Sequence, residues 1–95
     1  MRSSGIKNPM SVGEVLGTLL DELQVSQRHL ARALRVSQPY LSDIINGKRG
    51  ISAEMACKLS KVLGSTPETW MSLQSRYELS KVKRSQISGL SKIAA

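Results

Sequence analysis

The stretch that decides the fold is Ser26-Gln27-Arg28-His29-Leu30-Ala31-Arg32-Ala33-Leu34-Arg35-Val36-Ser37-Gln38-Pro39-Tyr40-Leu41-Ser42-Asp43-Ile44-Ile45-Asn46. Ser26 precedes Leu30, Ala31 and Leu34 at helical spacing, and Ser37 precedes Leu41 and Ile44 at i, i+3. A serine hydroxyl accepts from an otherwise unpaired N–H in the first helical turn, so each serine opens a helix. Only Arg35 and Val36 stand between the two patterns, which calls for a steep crossing. Ala31 is small where the second helix passes over the first, and Leu30, Leu34, Val36, Leu41 and Ile44 fill the wedge between them.

Two short helices joined this way form a helix-turn-helix unit. The second helix then stands proud of the body, with its first turn free to enter a DNA major groove about 12 Å wide. Working outward, Ser11 with Glu14 makes a capping box ahead of Val15, Leu16, Leu19, Leu20 and Leu23. Asn46-Gly47 closes the recognition helix, glycine supplying the left-handed conformation at a helix end. Lys48-Arg49-Gly50 follows as a basic loop, and Ser52 opens a helix whose apolar face is Met55, Ala56, Leu59, Val62 and Leu63, stopped by Gly64. Thr66-Pro67 starts the last helix, since proline at the first helical position lacks only an N–H that would go unpaired. Five helices are predicted at 12–23, 27–34, 38–46, 53–63 and 67–80, with no strand. The fold class is all-α, a five-helix bundle containing the helix-turn-helix. Residues 1–10 read as a flexible lead, 11–80 as the domain, and 81–95 as a basic, flexible tail where periodicity is lost.

Composition bounds the function. Ninety-five residues suffice for one domain. Phe is absent and the aromatics are Trp70, Tyr40 and Tyr77, so aliphatic side chains must build the core. The net charge of +7 points to polyanionic partners. It is uneven: residues 1–80 carry ten basic and seven acidic side chains (+3), and 81–95 carry Lys81, Lys83, Arg84 and Lys92 with no acid (+4). The single cysteine, Cys57, excludes an internal disulfide framework and suits a reducing compartment. No apolar run approaches the ~18 residues of a membrane span, and residues 1–10 hold no secretory h-region. A cytoplasmic protein is the expectation. His29 and Cys57 fall on different predicted helices with no further ligand at metal spacing, so neither a cofactor nor catalysis is expected.

On the recognition helix, Gln38 is the leading candidate for a base contact, because an amide pairs bidentately with adenine N6 and N7. Tyr40 suits a thymine methyl or a phosphate. Ser42 neighbours it, and Asp43 either accepts from cytosine N4 or pairs with Arg32 or Lys48. Gln27, Ser37, Asn46, Lys48 and Arg49 suit phosphate contacts, helped at Ser37 by the helix N-terminus. Arg28, Arg32 and Arg35 either extend that footprint or simply solvate their helix. A single unit makes few base contacts, so a homodimer on a palindromic double-stranded operator is expected. Trp70 and Tyr77 suit closing the core, and the interface is placed on the last helix and the connection before it, because Trp70, Met71 and Tyr77 together offer more apolar surface than a thin core needs.

The segment from Ser26 to Ile51 resembles the lambda-repressor-type (XRE) helix-turn-helix domains and, more narrowly, the HigA-type antitoxins. The narrower likeness rests on Gly13-Glu14, on Asn46-Gly47-Lys48-Arg49-Gly50-Ile51, and on Pro67-Glu68-Thr69-Trp70 to Leu73-Gln74 with Arg76-Tyr77. Two positions depart from that pattern. Arg35 replaces a glycine in the turn, at a cost of about 1 kcal/mol if left-handed, and Met10-Ser11-Val12 replaces a His-Pro pair. The resemblance implies an autorepressing antitoxin that neutralises a small RelE-like, mRNA-cleaving toxin. Two other functions fit the same residues. One is a phage-type or general repressor without a toxin, and the other is a protein-interaction module that no longer reads DNA.

Overall fold

The computed structural model describes residues 9–93; most of the expected N-terminal lead, residues 1–8, and the last two residues of the tail lie outside it. Five α-helices follow in order: α1 (Val12–Leu23), α2 (Gln27–Leu34), α3 (Gln38–Ile45), α4 (Ala53–Leu63) and α5 (Pro67–Ser80). Among the described residues there is no strand, and no helix is long and apolar enough to cross a membrane.

Local chemistry sets the helix starts. Ser11, Ser26, Ser37, Ser52 and Thr66 each accept a hydrogen bond from the backbone N–H three residues on. At α1 the Glu14 carboxylate also accepts from the Ser11 N–H at 2.8 Å, completing the capping box. Three helix ends share one closure. Gln24, Arg35 and Gly47 adopt positive φ (57°, 59° and 78°), which turns the next N–H back onto a carbonyl five residues upstream: Val25 to Leu20, Val36 to Ala31, and Lys48 to Asp43. Arg35 therefore takes the left-handed position without glycine. Asn46, expected as the last residue of α3, is its cap instead, with φ −85° and ψ 4°.

The core is aliphatic apart from one indole: Leu16, Leu30, Leu34, Leu41, Ile44, Met55, Ala56 and Leu59 pack with Trp70. α3 rests on both α1 and α2, while α4 joins α2 to α5. Gly13 sits where α1 meets the end of α3; a Cβ there would fall under 3.0 Å from the carbonyl groups of Ile44 and Ile45. Val62, expected on the buried face of α4, is exposed. Residues 81–93 carry a single 3-10 turn at Arg84–Gln86 and are exposed throughout.

Candidate DNA-binding surface

Leu41 and Ile44 anchor α3 in the core, at 0% and 1% exposure. The opposite side must face outward, and residues three and four apart share a side. Gln38, Ser42 and Asn46 form one such row, and Pro39, Asp43 and Asn46 another. Gln38, Pro39 and Asn46 are exposed, Ser42 and Asp43 half-buried. The Asn46 amide donates to the Ser42 hydroxyl at 3.2 Å, which aligns two polar tips along the row. Among the described residues Asp43 makes no ion pair with Arg32 or Lys48, so its carboxylate stays available to a donor such as a cytosine amine. Ser37 caps α3 by accepting from the Tyr40 N–H at 3.2 Å and remains exposed.

Tyr40 does not join the outward row. It shares a side with buried Ile44, packs against the core cluster, and lines a cleft with Ser52, Met55 and Lys58 of the α4 start. The Arg49 guanidinium lies 4.8 Å from the centre of its ring. A cation over an aromatic face is attracted by the ring quadrupole, so Tyr40 holds Arg49 beside α3. Lys48 is fixed from the other direction, through its N–H to the Asp43 carbonyl at 2.8 Å. Both basic side chains are exposed at the foot of α3.

Gln27 opens α2 half-buried, lining a cleft with Glu14, Thr18 and Asp21 of α1. Arg28 and Arg32 share the outer side of α2 at i, i+4, and Arg35 follows as the exposed left-handed cap. His29 on α2 and Cys57 on α4 are exposed, and no group of three metal-ligating side chains occurs among the described residues.

The expected dimer residues divide. Trp70 is 3% exposed, and its indole N–H donates to the Gly64 carbonyl at 3.3 Å. The ring belongs to the core of one copy and leaves no surface for another, which corrects its place in the expected interface. Met71 and Tyr77 are half-buried.

One residue of this region escaped the sequence reading. The Gln74 side chain donates from Nε2 to the Ile51 carbonyl at 2.9 Å and accepts the Ile51 N–H at Oε1. It thus grips the end of the basic loop from 23 residues away. Its only sequence signal was its place in the Leu73-Gln74 hallmark.

With this geometry in hand, comparison with known proteins is specific. The helix-turn-helix family model matches residues 16–70. The chain is 48% identical over 83 residues to virulence-associated protein A' of Dichelobacter nodosus, spanning 86% of this chain and 72% of that one. It is 36% identical over 74 residues to antitoxin HigA-1 of Vibrio cholerae, spanning 77% and 70%. Its fold matches the antitoxin HigA of Pseudomonas aeruginosa, solved with the higBA promoter, at a TM-score of 0.81 and 37% identity, covering 92% of this chain and all of that one. The chain belongs to the XRE-type helix-turn-helix family, with HigA antitoxins among its relatives.

Proposed function

We propose that the chain is a sequence-specific repressor that inserts α3 into the major groove of a palindromic operator as a homodimer. As an antitoxin it represses its own operon and neutralises a small mRNA-cleaving toxin. The observation that carries the DNA half is the outward polar side of α3, continuous with the exposed Lys48-Arg49 loop at its foot. Gln38, Ser42 and Asp43 supply donors and acceptors for base edges, and Gln27, Ser37, Asn46, Lys48 and Arg49 hold the backbone. Tyr40 serves the same surface by seating Arg49.

The toxin half is supported by the likeness to the HigA antitoxins of Vibrio cholerae and Pseudomonas aeruginosa. The promoter in the Pseudomonas structure supports the operator. The role is that of a regulator and not of an enzyme, exercised in the cytoplasm where its DNA lies. A mobility-shift titration of the full chain against the DNA upstream of its own gene tests the reading. Binding at least a thousandfold tighter than to random duplex is expected, and equal affinity for both would refute a sequence-specific repressor. Co-purification with the product of an adjacent gene tests the toxin half.

A further inference from the structure

We infer that Gln74 is a positioning residue for DNA binding, acting from α5 through the backbone of the basic loop. The inference rests on the DNA-binding reading above and adds a residue that touches no DNA. The loop from Gly47 to Ile51 links α3 to α4 and carries both cations at the foot of the recognition helix. A short loop bearing two like charges gains nothing from holding them together, so its shape needs outside support. Three contacts provide it. The Lys48 N–H is tied to the α3 end at 2.8 Å. The Arg49 guanidinium rests on Tyr40. Beyond them, Gln74 bonds both the N–H and the carbonyl of Ile51, as a neighbouring strand would.

The chain is shaped around this last contact. A Cβ at Gly50 would fall under 3.0 Å from the Gln74 amide, so glycine lets the amide approach. Gly50 has no positive φ, which leaves that close approach as the structural demand on the position. The Ile51 side chain is buried, at 5% exposure, so the grip is applied next to a fixed point and its effect falls on Arg49 and Gly50. Gln74 also lies between Met71 and Tyr77 on α5, which makes the loop's shape depend on where that helix sits.

The test measures the slope of log affinity against log salt for the full chain on random duplex DNA and on its own upstream DNA. Each phosphate contact contributes about 0.9 to that slope. Gln74→Met keeps the volume and removes both hydrogen bonds. Gly50→Ala drives the amide away from the loop side and leaves α5 unaltered. Each variant, once its helix content matches the wild type by circular dichroism, should lose slope, by no more than the ~0.9 per subunit of the single Arg49 phosphate contact, since the Tyr40 ring still holds the guanidinium. Lys48 keeps its own anchor and its contact. In an Arg49→Ala background neither substitution should change the slope further. A purely structural role predicts lower thermal stability with unchanged slopes, and that result in both variants overturns the inference alone. If Gln74→Met does not fold, Gly50→Ala carries the test. Absence of salt-dependent DNA binding by the wild type would overturn the DNA-binding reading and this inference together.

Discussion

Gln38 and Gly13 are decided by single atoms. At the first position of α3 the Gln38 amide is exposed and offers one donor and one acceptor side by side, the pattern that adenine presents in the major groove. Gln38→Ala should cost about 1–3 kcal/mol on the specific operator and leave random DNA nearly unchanged, as read by fluorescence anisotropy. Equal losses on both duplexes would assign the amide to the phosphate backbone. Gly13 works by what it lacks. Because a Cβ there would meet the backbone of Ile44 and Ile45, no side-chain rotation can relieve the clash, and α1 and α3 must separate. Gly13→Ala should destabilise the fold by about 1–3 kcal/mol in urea denaturation. An unchanged midpoint would mean that α1 shifts along α3 without loss.

At the scale of elements, the loop between α3 and α4 differs from the tail after α5 in how firmly its charges are held. Lys48 and Arg49 are tied to α3 by a backbone hydrogen bond and a ring contact. Lys81, Lys83, Arg84 and Lys92 belong to a segment without a buried residue, although Lys81 lies 5.1 Å from the Tyr77 ring centre. Charges held near a phosphate release counterions at a fixed stoichiometry, and loosely held ones do so only in part. Replacing Lys48 and Arg49 with alanine should flatten the salt slope by nearly two units per subunit, about 0.9 for each. It should weaken specific and random binding alike. Removing residues 81–95 should change the slope by less than its four charges would suggest. A larger effect from the tail than from the loop would move the DNA-binding surface onto the tail.

For the molecule as a whole, the proposed homodimer would supply the specificity that one recognition helix lacks. A palindrome is read by two copies, and its half-sites are set one helical turn, about 34–36 Å, or a multiple of it apart. With Trp70 enclosed in its own core, Met71 and Tyr77 are the members of the expected interface still open to a second copy. A dimer at micromolar concentration is expected in sedimentation equilibrium, with and without operator. Inserting about half a helical turn of DNA, roughly five base pairs, between half-sites should abolish tight binding by placing the second groove on the wrong side. Monomeric behaviour in both conditions, or indifference to the insertion, would count against a symmetric complex.

The five helices and the turn between α2 and α3 were legible in the residues alone. Their boundaries rest on interactions that reach no further than five residues: hydroxyl caps at Ser11, Ser26, Ser37, Ser52 and Thr66, and left-handed closures at Gln24, Arg35 and Gly47. Even the missing glycine at Arg35 left the turn legible, because the apolar residues on either side impose it. The outward side of α3 was legible for the same reason, since burial of Leu41 and Ile44 dictates what faces away. The lean of Tyr40 toward α4, its seating of Arg49 and the grip of Gln74 on Ile51 came from the packing of the helices, which also chose the core over the interface for Trp70. Each depends on where one helix packs against another, and periodicity along a single helix carries no record of its neighbour's position. A side chain's partner 23 residues away is settled by the packing of α4 and α5, a property of the assembled core and not of any local stretch.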